Sequence, residues 1–511
     1  MTRRLAGLLL LAAACSATDS TPPGDAVIAA ALGQLAYPTE TWLGQSGTKL
    51  SYVVTNTGST RWIFGATASM GKPDNGVIDL PVSVITLSPG QSRSVSWDLP
   101  PWRPAGRWDV RVSILRVPGD SSTRLADSGW LADVITAGFQ VRYHTSTPGL
   151  SQADADNILA DGERLLRTFD GGGDVPCDVT LVQFGAPASF STGDGIIDDQ
   201  GEFNTVLAIP GSIKIVNQIN WCNAIAAGIL GCAPIPGYSS VVREAGLLRR
   251  DRELWAHEYG HNMGLVHYSQ SGYLMFANYS TLEVRNKVTT GQCAGFRGGV
   301  ALVQSPVPSA LVGLTPVQDF ARQDHVHGVP YDEARKYSSS DVPQLLRMLS
   351  NREDATHWVN VVAVLGIIGD ASVVAPLIAF VHEGTGSLTP DEYRAKSTVL
   401  IALGYLVNHT GNRLALDYLL ASARFEVWSA RRLEWSSPFH ATTSQRDARL
   451  ARTALLGLAL SGAPDAGALL RSRAGATDEG VLEEFRNITQ VGLARYYSRA
   501  RPGQLPLNPG R

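Results

Sequence analysis

The stretch His257-Glu258-Tyr259-Gly260-His261-Asn262-Met263-Gly264-Leu265-Val266-His267 constrains this chain more than any other. His257 and His261 stand four positions apart, so on a helix they share one face and can grip one metal ion. Glu258 is turned away from that pair, toward the place of a metal-bound water. Gly264 can adopt a left-handed conformation, which ends a helix and bends the chain back. That bend would deliver His267 as a third imidazole. Upstream, Asp251 could cap the helix, with Leu254 and Trp255 facing a core. Three imidazoles leave one tetrahedral position open, which marks a catalytic rather than a structural metal centre.

Downstream, Ser271-Gly272-Tyr273-Leu274-Met275-Phe276-Ala277-Asn278 sets Met275 in an apolar, turn-like run. With HExxHxxGxxH and this methionine, the chain resembles the metzincin clan of zinc metallopeptidases over about residues 251–279. The resemblance implies zinc held by His257, His261 and His267, Glu258 as general base, and Met275 in a turn beneath the metal. It does not fix a subfamily. Tyr268 follows the third histidine where adamalysins carry Asp. Ala277 stands where astacins and serralysins carry Tyr. Tyr279 is a candidate fourth ligand if the centre is structural, with a buried structural tyrosine the favoured reading.

The net charge of −3 and the lack of a basic stripe argue against a nucleic-acid partner. Thr2-Arg3-Arg4 and the apolar run Leu5–Ala14 read as an export signal too short to span a bilayer. The junction Ala12-Ala13-Ala14-Cys15 resembles a bacterial lipobox. It implies lipidation at Cys15 and a membrane anchor in the cell envelope, the alternative being secretion after cleavage near Ala14 or Ala17. Cys177, Cys222, Cys232 and Cys293 remain, an even set that favours disulfides in an exported chain. Three pairings are open, and Cys222–Cys232 with Cys177–Cys293 is the favoured one.

The expected fold is multidomain: an all-β sandwich, an α+β metzincin-like zinc protease domain, then an all-α HEAT-like solenoid. A signal at 1–14 and a tether at 15–26 precede a β region at 27–142. There Leu50, Tyr52 and Val54 alternate, then Val95, Trp97 and Leu99, then Trp108, Val110, Val112 and Ile114. The pattern resembles immunoglobulin-like modules. The protease domain is expected at 143–305, with a helix capped by Ser151, a buried strand at Val179–Val182 and an edge strand at Ser239–Val242. Metzincins add a substrate strand along such an edge. Asp194, Asp198, Asp199 and Glu202 form an acidic loop that could hold Ca2+, although it lacks EF-hand spacing and a solvated loop is favoured. A linker is expected at 306–329. His325 and His327 within it have strand spacing and could bind metal, but linker is the favoured reading. Residues 330–500 read as HEAT-like hairpins, with Leu365-Gly366, Leu403-Gly404 and Leu456-Gly457 ending apolar helices. Such a stack would dock a protein partner or cap the fold. Residues 501–511 form a tail.

The combined expectation is an exported zinc endopeptidase acting on protein or peptide. Its alternatives are a docking or adhesion lipoprotein with a vestigial zinc domain, and a structural zinc domain.

Overall fold

The computed structural model describes residues 30–32, 49–71, 77–99, 106–117, 124–134, 136–167, 177, 179–243, 248–268, 271–279, 288–296, 314–473 and 478–499. The signal, Cys15, the tether and the C-terminal tail lie outside them. The chain divides into two units at the 135/136 junction. This falls earlier than the expected 142/143 boundary, because β9 (Thr136–Phe139) and β10 (Val141–His144) pair with later strands: β9 with β11 (Thr180–Gln183), and β10 with β12 (Ala188–Phe190) and β14 (Ile213–Val216).

The first unit is built of antiparallel strands. β1 (Ala30–Leu32), β2 (Lys49–Asn56) and β6 (Ser92–Asp98) form one sheet. β3 (Trp62–Gly71) is paired with β4 (Val77–Asp79), β5 (Ser83–Leu87) and β7 (Gly106–Val117), and β7 pairs with β8 (Arg124–Val134). The two-residue alternation decides which face is buried. Leu50, Tyr52 and Val54 on β2 stand opposite Trp97, Val95 and Arg93 on β6. The apolar members of both strands share one core with Phe64, Ala66, Ala68 and Met70 of β3 and Val112 and Ile114 of β7. The side chains of Trp108 and Val110 lie outside the described residues. Asn56 fixes the turn after β2, donating to the carbonyls of Thr60 and Leu87 at 2.8 and 3.0 Å while accepting from Gly58 N.

In the second unit, a five-stranded sheet runs in the order β12, β10, β14, β18 (Ser240–Arg243), β17 (Gly231–Cys232). Its pairs are parallel except at β17, which runs antiparallel to β18. Ser240–Arg243 is therefore not the edge expected at Ser239–Val242. It is paired on both sides, and the edge passes to Gly231–Cys232 and the preceding β16 (Ile225–Ile229). Helix α1 (Gln152–Arg167), its N-terminus capped by Ser151 Oγ on Asp154 N, packs on α3 (Leu248–Asn262). Gly162 lies at that contact, facing the Arg252 carbonyl. Asp251 sits inside the first turn of α3 rather than at its cap. Disulfides join Cys177 to Cys293 and Cys222 to Cys232.

The C-terminal part is helical. Its central layer is α8 (Trp358–Ile368), α10 (Pro390–Thr410) and α13 (Thr443–Ser461), packed side by side. Nearly every residue of α8 is buried, which suits a helix apolar on all sides. Capping boxes start the other two: Thr389 with Glu392, and Thr442 with Gln445. Left-handed Gly411 and Gly462 end them. The Leu-Gly pairs do not end helices as expected. α10 runs on past Gly404 to Thr410, and α13 past Gly457 to Ser461. These glycines are close-approach points: a Cβ at Gly366 would lie 2.6 Å from Ala402 Cα, at Gly404 2.2 Å from Gly457 O, and at Gly457 2.0 Å from Leu400 O.

No break separates these helices from the sheet. Phe190, Trp221, Ile225, Cys232 and Val241 share one apolar cluster with Val359, Leu400, Leu455 and Tyr496. Trp221 Nε1 donates to Glu484 at 2.8 Å, and Ile225 N donates to the Tyr496 hydroxyl at 2.9 Å. Residues 317–329 are not a linker. They form α5 (Val317–Ala321) and β20 (Asp324–His325), with Val317, Phe320, Val326 and Val329 buried. The acidic loop is engaged by arginines of α13 instead of standing solvated. Arg449 meets Asp194 and Asp198, and Arg452 meets Asp198, Asp199 and Glu202. Two guanidinium groups thus already supply the positive charge a Ca2+ ion would bring.

Candidate metal centre

Helix α3 carries His257 and His261 one turn apart, and Gly264 takes φ +89°, closing the helix. Gly264 N donates to the His261 carbonyl and Leu265 N to the Gly260 carbonyl, both at 2.9 Å. This turn returns His267 to the other two histidines. His261 Nε2 and His267 Nε2 lie 3.1 Å apart.

A fourth imidazole joins them. His327 Nε2 is 3.2 Å from His261 Nε2, and one ring nitrogen from each of the four histidines lies within 4.8 Å of all the others. Four nitrogens held tetrahedrally at ordinary zinc–nitrogen bond lengths would stand about 3.3 Å apart. The two short separations match the edge length that such a coordination polyhedron would have. Between His261 and His327 the separation is not a hydrogen bond, because the outer nitrogens of both rings carry the protons. His257 Nδ1 donates to the Leu274 carbonyl at 2.7 Å, His261 Nδ1 to Leu265 at 2.8 Å and His327 Nδ1 to Gly231 at 2.9 Å. Each such bond fixes the tautomer that turns the Nε2 lone pair inward. Burial holds all three rings neutral: it lowers His257 and His327 well below the usual histidine range and His261 to about 4. Neutral imidazoles with convergent lone pairs form a group that could hold a metal ion.

Glu258 is fully buried, and neither carboxylate oxygen has a hydrogen-bond partner among the described residues. Burial pushes its carboxyl well above the usual range. It packs against Gly231, the residue whose carbonyl receives His327; a Cβ there would stand 2.4 Å from Glu258 Oε1. Met275 is completely buried beneath the helix, its Sδ 2.4 Å from where a Gly260 Cβ would be. Tyr268 N donates to the Met275 carbonyl at 2.8 Å, tying the two ends of the loop together.

The structure thus brings together His257, Glu258, His261, Gly264, His267 and Met275. His327 had only a weak sequence signal, its His-Val-His spacing with His325. That spacing does not make a pair of ligands. His325 is buried elsewhere, against Phe320, with Nε2 3.3 Å from the Phe320 carbonyl. The Tyr279 side chain lies outside the described residues.

No protein-family model matches the chain, and no curated protein matches it. Similar solved structures include a GH3 beta-glucosidase from Bifidobacterium adolescentis, at 15% identity and a TM-score of 0.17 over 21% of this chain and 17% of that one. A beta-glucosidase from Listeria innocua in complex with glucose shows 12% identity and a TM-score of 0.17, over 22% of this chain and 16% of that one. A CARDB domain from Pyrococcus furiosus, in complex with di-metal ions, has 9% identity and a TM-score of 0.17, over 21% of this chain and 89% of that one. The chain spans under a fifth of the length of either glucosidase.

Proposed function

We propose that this protein is a zinc-dependent endopeptidase of metzincin type, exported and anchored through Cys15. In this reading an immunoglobulin-like β module precedes the protease region, and HEAT-like helices follow it and offer a surface for a protein partner. The observation that carries the reading is Glu258. A purely structural centre has no use for a fully buried carboxyl group with neither oxygen bonded among the described residues, because such a group costs stability.

The donor set suits zinc: neutral imidazoles, outer nitrogens bonded to carbonyls, and Nε2 spacings near a tetrahedral edge. When bound, zinc supplies Lewis acidity, polarising a scissile carbonyl and lowering the pKa of water to about 7. His257, His261 and His267 would hold it, with Met275 packed beneath α3. Glu258 takes a proton from the attacking water and hands it to the leaving amine. No covalent intermediate is required.

A second reading, a closed structural centre, is favoured by one observation: His327 stands where the fourth ligand would be. The test compares Glu258→Gln with its parent, in the wild-type and His327→Ala backgrounds, on an unfolded protein substrate. Glu258→Gln should keep its zinc and lose cleavage by about 10²-fold or more. Equal cleavage by the pair, or none by either parent with zinc bound, would sink the peptidase.

A further inference from the structure

The residues around His327 do more than deliver a ligand. They lie as an extended strap between two backbones. On one side, Leu230 N and Gly231 N donate to the Val326 carbonyl at 2.8 and 3.0 Å, and Val329 N donates to Ala227 at 3.0 Å. His327 bridges Ile229 in antiparallel fashion. On the other side, Val326 N donates to Ala277 at 2.9 Å, and β20 pairs antiparallel with β19 (Asn278–Tyr279), just after Met275. Arg250 of α3 holds Asp324 at 2.9 Å, pinning the strap's start. The strap therefore fills the outer edge beside β17 and the space across to the methionine loop, and it passes directly over the three histidines of the motif.

The geometry points to residues 324–329 as a built-in occupant of the peptide groove, with His327 a displaceable fourth ligand. This rests on the peptidase reading for the meaning of the groove. An exposed sheet edge binds an extended peptide through main-chain hydrogen bonds, and the strap makes those bonds itself. With a metal bound, release would give up one nitrogen–metal bond at His327, and an oxygen of water or of a substrate carbonyl would take that position. No electrons are transferred. Val326 and Val329 are buried, so the closed form is favoured and the unaltered chain cleaves slowly. A competing ligand has to overcome this, so its apparent affinity falls by the fraction of chains that are open. The groove's natural guest is an extended peptide lying antiparallel to residues 227–231.

The strap is tested on the full chain loaded with Co2+, using acetohydroxamate as the probe and visible absorption as the readout. Two variants open it differently. His327→Ala deletes the ligand. Gly328→Ala keeps all four histidines but adds a Cβ 2.7 Å from the Ala227 carbonyl at φ +87°, which pushes the strap out. Both should keep one cobalt per chain and bind acetohydroxamate about tenfold or more tighter than wild type. Equal binding by wild type and both variants overturns the strap. Loss of cobalt from a His327→Ala chain that still unfolds cooperatively overturns it too, because His327 would then be an indispensable structural ligand. Probe binding without any cleavage keeps the strap and sinks the peptidase.

Discussion

Gly260 lies on α3 between the two helical histidines, and there is no room for a side chain on it. A Cβ would meet Met275 Sδ at 2.4 Å and Phe296 Cε1 at 3.0 Å. Gly260→Ala should therefore cost about 1–3 kcal/mol through overpacking, despite the better helix propensity of alanine. The shift would fall on the residue preceding His261, so metal affinity should drop as well. Thermal unfolding with and without zinc reads both effects, and an unchanged zinc-dependent increment would contradict the assigned role of Met275. Much of the centre was legible at this scale, because helix geometry relates His257, Glu258 and His261, and the spacing also encodes the turn at Gly264 that returns His267. His327 was not legible. Its approach to His261 spans 66 positions and depends on how the sheet edge, the strap and the helices close together.

Among elements, glycine placement separates two opposing effects. Inside a helix, alanine is worth about 1 kcal/mol more than glycine, so Gly457→Ala should stabilise if propensity decides. Packing predicts the reverse, because the new methyl would lie 2.0 Å from the Leu400 carbonyl, a backbone atom that cannot step aside. We expect a lower unfolding temperature and a net loss of about 1–3 kcal/mol. A raised midpoint would show that α10 and α13 are not in such close contact. The same contest explains the misplaced helix ends. Leu-Gly looks like a stop when only the local sequence is read, but the true stops are Gly411 and Gly462, where φ is positive. Nothing local distinguishes a glycine that ends a helix from one that admits a neighbour. In the first unit the alternation at β2 and β6 was readable because a strand's period alone assigns its buried face.

Across the second unit, one buried ion network links the loop before α2 (Gln200–Leu207) to α13. Asp198 is fully buried between Arg449 and Arg452, with Asn220 Nδ2 at 2.8 Å. Burial pushes its carboxyl up, but the two arginine charges and the bonds from Arg449 and Asn220 outweigh this and hold it below the usual range. A depressed folded pKa stabilises above the unfolded value and loses that contribution as pH falls below it. Asp198→Asn keeps the shape and leaves two guanidinium groups short of a partner. It should cost about 3–5 kcal/mol near neutral pH and flatten the acid limb of the stability curve. Denaturant midpoints measured down to acid pH would show either change, and wild-type values for both would contradict the network. The linker expectation fails over 317–329 for the same large-scale reason: nothing local to that stretch gave a sign that Val317, Phe320, Val326 and Val329 would be needed by a core assembled from both sides.

The fourth imidazole also imposes an order on assembly. A chain delivered amino end first presents His261 long before His327, which in extended form trails by about 220 Å. Three histidines can therefore meet metal while the fourth is still in transit. Were metal taken up then, loading and sealing would be separate events, with an interval set by the speed of delivery.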